Sequence, residues 1–161
     1  MGTGSVLAVC ISRNKGERKT PVDLVVLREK CGIIGDAHAG DWHRQVSLLA
    51  IESIQKMQQL GLAVDAGDFA ENLTITGIDL PALPLGTHLQ VGEALLEVTQ
   101  IGKECHTRCA IFQQAGDCVM PREGIFARVL GGGSIRPGDS VTILSKTTVD
   151  AIPIFDICNS S

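Results

Sequence analysis

Short runs of apolar and β-branched residues, broken by Gly, Pro and Asp, recur along most of the chain and predict strands. They fall at Ser5–Ser12, Val22–Arg28, Thr87–Val91, Ala94–Ile101, Gly124–Leu130 and Ser140–Leu144. One stretch breaks this rhythm. Leu48, Ile51, Ile54, Met57 and Leu60 recur every third residue, which predicts one amphipathic helix from Leu48 to Leu60 with Ser47 as N-cap and Gly61 as stop. Many strands beside one or two helices argue for a mostly β barrel or sandwich rather than alternating βαβ units. Val91-Gly92-Glu93-Ala94 reads as a hairpin turn, and Gly131-Gly132-Gly133 and Arg136-Pro137-Gly138-Asp139 as bends. The tail Ala151–Ser161 is either a last strand near Ile152–Ile157 or a frayed end.

With 161 residues, the chain is long enough for one domain with a real core and short for two, so 1–161 is expected to be a single unit. Four Phe, one Trp and no Tyr leave that core to Val, Ile, Leu and Ala. A net charge of -4 leaves no basic footprint for nucleic acid; the densest basic cluster, Lys15 to Lys19, reads as a solvated loop. No signal-peptide pattern opens the chain and no apolar run is long enough to span a bilayer, so the expected location is cytoplasmic, away from membranes. The six cysteines are unevenly spaced and mostly sit in apolar runs, which favours free thiols in a reducing compartment over disulfides.

Reactive groups are densest in Gly102-Lys103-Glu104-Cys105-His106-Thr107-Arg108-Cys109. Cations near a thiol favour the nucleophilic thiolate, and Lys103, His106 and Arg108 flank Cys105, with Glu104 opposing them. Cys109 is the second thiol. The segment follows a predicted strand and so belongs in a loop at a strand end. The plain alternative is that both cysteines are small buried hydrophobes. A zinc site could draw on Cys105 and Cys109 with His106, His43 or Cys118, but Cys-x-x-x-Cys occurs once, and structural zinc usually shows two paired ligand sets. A dithiol switch lacks the Cys-x-x-Cys spacing.

A second constellation, Gly35 to Gln45, packs Asp36, His38, Asp41, His43 and Arg44 into a polar loop suited to an anion or to proton transfer. Its alternative is a loop whose Asp36 and His38 bond their own backbone. Glu71 and Asn72 could read a heterocycle edge, with turn-making the simpler account. Arg122 could clamp an anion or pair with Glu123, and Gly132, within its three glycines, could cradle a phosphate or serve a bend.

Taken in order, Gly35-Asp36-Ala37-His38 with His43-Arg44-Gln45, Phe69-Ala70-Glu71-Asn72-Leu73, Gly102-Lys103-Glu104-Cys105-His106 and Gly124-Ile125-Phe126-Ala127-Arg128-Val129 resemble a stand-alone bacterial MOSC domain, over roughly residues 5 to 144. The resemblance implies a bent, barrel-like sheet and a cysteine, here Cys105, tied to sulfur transfer or to ligation of molybdenum in a pterin cofactor. Many relatives read Cys-x-x-Cys at this point, whereas this chain has one residue more between Cys105 and Cys109. Implied cofactor contacts are Asp36, His38, His43, Arg44, Glu71, Asn72, Arg122 and Gly132. A sulfurtransferase or sulfur-carrier role implies a separate cysteine desulfurase carrying the pyridoxal phosphate, since 161 residues cannot hold that domain as well. Partners would be that desulfurase, a molybdoenzyme or another cofactor-biosynthesis protein. The competing classes are a noncatalytic scaffold in cofactor biosynthesis and a zinc-binding module.

Overall fold

The computed structural model describes residues 3–14, 18–102 and 123–144. Eleven strands and one α-helix are described: β1 (Thr3–Ile11), β2 (Thr20–Val22), β3 (Val25–Arg28), β4 (Gly32–Ile33), β5 (Val46–Ala50), α1 (Ile51–Gln59), β6 (Leu73–Thr76), β7 (His88–Val91), β8 (Ala94–Ile101), β9 (Ile125–Gly131), β10 (Gly133–Ile135) and β11 (Ser140–Leu144). A short 3-10 turn at Leu80–Ala82 follows β6. The main sheet runs β11-β7-β8-β9-β5-β6-β1-β2, and β1 pairs back onto β11 through Thr3↔Thr142 and Ser5↔Ser140. That last pairing closes seven strands into a barrel, with β2 as an added flank. The mostly β expectation holds.

The inside of the barrel follows from alternation. Ala94, Leu96 and Val98 of β8 point inward, as do Leu89 and Val91 of β7, joining Val6, Val9, Leu48, Leu73, Ile75, Ile125 and Val141 in one aliphatic core. A three-stranded sheet, β10-β3-β4, adds Val25, Leu27, Ile33 and Ile135 to it. Gly132 lies where this small sheet meets β9: a Cβ there would stand 2.7 Å from the Leu27 carbonyl oxygen. The triglycine run therefore lets two backbones approach closely.

Around α1 the structure departs from the sequence pattern. The helix starts at Ile51, and Leu48 belongs to β5, whose five residues are all buried. Ser47 is not an N-cap; it is a strand residue, and the N-cap Ala50 makes no side-chain cap bond. The reason is two-sided burial: Leu48 faces the barrel core, while Leu49 packs outward with Ile54, Met57, Val64, Phe69 and Phe126. A short strand buried on both faces reads as a continuous apolar run that periodicity cannot separate from a helix. Gly61, at φ 93°, does follow the helix end.

Beside β5 lies its parallel partner β6, and the crossing is pinned by Asn72. Its side-chain oxygen accepts from the Ser47 backbone N–H at 3.0 Å and the Ser47 hydroxyl at 3.1 Å, while its Nδ2 donates to the Cys10 carbonyl at 3.0 Å. Three strands are thus joined through one buried amide. No helix among the described residues is long and apolar enough to cross a membrane.

Truncating that amide should be costly, because Asn72→Ala leaves buried donors and an acceptor unpaired at a loss of roughly 2–4 kcal/mol. Leu85→Ala, at a side chain 56% exposed, should stay within about 0.5 kcal/mol of the parent. Urea unfolding with unchanged slopes checks both; equal midpoints for Asn72→Ala and parent would show that the amide does not hold the crossing.

Candidate functional site

Ser12 follows β1, and its backbone N–H donates to Asp36 Oδ1 at 3.0 Å. Lys19 reaches the same oxygen at 2.8 Å, and both side chains of this ion pair are without exposed surface. The basic stretch read as a solvated loop thus places one lysine in the interior. Asp36 Oδ2 takes the backbone N–H of His38 at 3.0 Å, closing the loop on itself. Burial alone would push the Asp36 carboxyl up, but the Lys19 ammonium and the N–H groups of Ser12 and His38 outweigh it and hold the group below the ordinary aspartate range.

From this anchor the loop builds outward. Trp42 Nε1 donates to the His38 carbonyl at 2.8 Å, and the two rings lie nearly parallel with centroids 6.3 Å apart. The Arg44 guanidinium sits 4.6 Å over the Trp42 ring and 5.7 Å from that of Phe126. Its Nε is a buried donor with no hydrogen-bond partner. Stacking fixes a guanidinium in place without neutralising it. His43, at the surface, pairs its Nε2 with Gln100 Oε1 at 2.9 Å, and the Thr99 hydroxyl donates to the His43 carbonyl. Gln45 locks the loop to the barrel, donating to the Gly40 carbonyl at 2.9 Å and accepting from the Val129 N–H at 2.8 Å.

The loop therefore comes to rest on the end of β8. There Gln100 Nε2 donates to the Gly102 carbonyl at 2.8 Å, and the Gly102 N–H reaches the Gly124 carbonyl at 2.6 Å. Cys105, Cys109 and Arg122, with His106 and Cys118, lie outside the described residues. Of the other sequence-predicted positions, Asp36, His38, His43 and Arg44 are brought into one assembly. Asp36 supports it from below, and Lys19 is the member that the residue pattern missed.

Glu71 and Asn72 belong to a neighbouring turn, whose Gly67 carbonyl accepts the Lys19 backbone N–H at 2.8 Å, and are fully buried. Glu71 accepts from the Gly67 N–H at 2.9 Å, the Phe69 N–H at 3.2 Å and the Thr74 hydroxyl at 2.9 Å. Burial pushes its carboxyl up, against the pull of those donors. Ala70 between them has φ 62°, a conformation costing a non-glycine residue about 1 kcal/mol or more, and its carbonyl is held by the Ser47 hydroxyl at 3.2 Å. This turn spends its polar atoms on the fold. Cys10 lies beside it, and burial together with the Glu71 carboxylate pushes its thiol up to about 12.

A phosphate-bearing pterin needs fixed cations and N–H donors. The stacked Arg44 with its unpartnered Nε fits that requirement, as does the polar loop around it. Among the described residues no group of three His, Cys, Asp or Glu side chains is placed to hold a metal ion by itself.

A family model described as MOSC domain matches residues 35–142. The fold is similar to that of the YuaD protein from Bacillus subtilis, with a TM-score of 0.72 at 18% identity over 88% of this chain and 97% of that one. It is also similar to YiiM from Geobacillus stearothermophilus, with a TM-score of 0.65 at 21% identity over 88% and 75% of the two chains. YiiM from Escherichia coli gives 0.63 at 18% identity over 89% and 70%. No curated protein matches the chain in sequence.

The Lys19–Asp36 pair makes a signed prediction. Asp36 is held low in the folded state, so the pair's stabilisation is complete above the pKa of an unfolded aspartate, about 3.9, and is lost as pH falls through the lower folded value. Lys19→Met strands a buried carboxylate and should cost about 3–5 kcal/mol at neutral pH. In the variant that carboxyl is pushed up instead, so the variant gains stability as the solution is acidified. The gap to the parent should therefore shrink between about pH 7 and pH 4. Denaturation midpoints measured across that range check it; a constant gap would mean that Asp36 does not carry the charge.

Proposed function

The chain belongs to the MOSC domain family, a molybdenum-cofactor-related family, and on that premise we propose that it binds the molybdenum-pterin cofactor and uses Cys105 as its working thiol. The observation carrying this is the Arg44 guanidinium, stacked on Trp42 and Phe126, its Nε unpaired, in a loop docked on the end of β8 through His43 and Gln100. Sequence adjacency supports the link: only Lys103 and Glu104 stand between Gly102 and Cys105 in the chain. In this reading an anion clamp and a soft nucleophile serve one site.

In this reading Arg44, with His38, His43 and Arg122, holds the anionic part of the cofactor, while the Cys105 thiolate is the soft ligand. When bound, the cofactor supplies a redox-active molybdenum centre. The same thiol also suits sulfur carriage. Its thiolate attacks the sulfane sulfur of a donor persulfide, forms Cys105–S–SH, and releases the donor's own thiolate. A separate cysteine desulfurase would load it, and a molybdoenzyme or cofactor-biosynthesis protein would receive the sulfur.

Incubation with a cysteine desulfurase and cysteine should add one reductant-sensitive sulfur to the intact mass if Cys105 is a carrier, and Cys105→Ser should not acquire it. If Cys105 is a ligand, molybdenum and phosphate should copurify in equal amounts from a cofactor-producing host and be lost together in that variant. Stoichiometric zinc without pterin would replace both readings, as would a wild-type protein that takes up neither sulfur nor cofactor beside working controls. In the native protein Cys10, with its thiol pushed up to about 12, should resist brief alkylation that labels Cys105. Peptide mapping decides; equal labelling of the two removes the argument for an activated thiol.

A further inference from the structure

Strand β8 does not run evenly to its end. Its pairing with β9 shifts between Val98, opposite Ala127, and Gln100, opposite Phe126, so Thr99 is an extra, bulged residue. Successive side chains of a regular strand point to opposite faces, and a bulge re-aims one of them. Here both neighbours turn to one residue: the Thr99 hydroxyl donates to the His43 carbonyl, and the Gln100 side chain meets the His43 ring.

The Gln100 amide is oriented from its other side. Its Nε2 lies 2.8 Å from the Gly102 carbonyl oxygen, which can only accept. Turning the amide over would set oxygen against oxygen. Gln100 therefore presents Oε1 to His43, and that oxygen too can only accept. His43 Nε2, 2.9 Å away, must carry the proton. The N–H of a neutral ring is thus given to Gln100. What remains is Nδ1, which has no hydrogen-bond partner among the described residues, on an exposed residue.

No charged neighbour competes for these positions. Asp41 and Arg44 flank His43 in its own loop, β8 brings the uncharged Thr99 and Gln100, and β9 brings the Phe126 carbonyl, 3.2 Å from the Thr99 hydroxyl. The Trp42 ring packs against the imidazole with centroids 5.9 Å apart. Among the described residues no carboxylate forms an ion pair with the ring.

An imidazole holds an anion through an N–H. We propose that Gln100 is a positioning residue that commits His43 Nε2, so that an anion held by His43 is held through Nδ1 and brings one proton with it from solvent. This rests on the loop being the anion site and deepens that reading: the site takes up an anion and a proton together, and its affinity falls as pH rises through the histidine range.

Sulfate, whose charge does not change across the histidine range of about pH 5 to 8, stands for the cofactor's phosphate as the probe. Nitrogen-15 and carbon-13 labelling reads both ring nitrogens of the four histidines, and the His43 signals are those missing from His43→Gln. In ligand-free protein at about pH 8 the proton should sit on Nε2 and show a coupling across the hydrogen bond to the Gln100 side-chain carbonyl carbon. A proton on Nδ1, or an Nε2 proton without that coupling, overturns the proposal. Adding sulfate at neutral pH and constant ionic strength should protonate Nδ1 while the coupling stays, and sulfate affinity should fall by up to about tenfold for each further unit of pH. Sulfate that binds with the ring unchanged, that binds equally well at all these pH values, or that does not bind overturns it as well. In Gln100→Met the coupling goes, and the form with its proton on Nδ1 should gain about fivefold on the other, the ratio that one net hydrogen bond supplies. An unchanged ratio removes Gln100 from the account; should the variant fail to fold, the wild-type coupling decides alone. A protein that never retains cofactor sinks the proposed function without altering the ring's proton or its link to Gln100, so the two failures are distinguishable.

Discussion

Closure of the barrel through β1 is the constraint on which the other features depend. That strand is shared among three neighbours: its start pairs with β11, its end with β2, and its other edge with β6 across a bulge between Val6 and Ala8. A closed sheet has no exposed ladder along its seam, and its interior can be filled by aliphatic side chains alone. This suits a chain with so few aromatic residues. Closure also sets the site. Ser12 is the first residue beyond β1, so the register of the seam decides where its N–H meets Asp36.

What the Lys19–Asp36 pair contributes is order more than net stability. Moving two charges out of water costs several kcal/mol per ion, and a well-packed apolar pair could stabilise the fold as well. An apolar pair could not bind the Ser12 N–H, the His38 N–H and the His38 ring at once. The pair ties three separate stretches of chain to one point, and Trp42, His43 and Arg44 take their places from it. Losing either partner is far more damaging than never having had the pair, which is how a buried ion pair comes to specify one loop conformation.

Legibility in the sequence tracked how many faces of an element meet solvent. Ala94–Ile101 alternates along most of its length, and both it and Ser140–Leu144 read with correct bounds. Buried on both faces, β5 was absorbed into a helix, while β4 and β10, at two and three residues, are too short to carry a period. Strand β6 passed unread behind the turn at Glu71 and Asn72. Of the site, the Asp36 to Arg44 loop was visible as a density of polar types. Lys19 was not, because a lysine in a charged run looks solvated and its partner lies seventeen residues further on. The Cys105 segment stands on sequence and family membership.

Polar density alone does not separate a binding residue from a structural one: the resemblance offers Glu71 and Asn72 as cofactor contacts beside His43 and Arg44, although turn-making is their simpler account. What separates them is whether their bonds are already spent. Glu71 accepts from three donors and Asn72 joins three strands, so a ligand would have to break the fold to reach them. Arg44 retains an unpaired donor on a side chain that its neighbours hold rigid. Among the described residues, His88 Nδ1 is the other buried donor or acceptor without a partner, but the ring's Nε2 faces Glu97, whose carboxylate pairs with Arg128 across β8 and β9. An unspent group gains meaning from the company it keeps: Arg44 stacks on Trp42 in the polar loop docked on the end of β8, which is why the proposed ligand site is centred there. His88, within β7, belongs to no such loop.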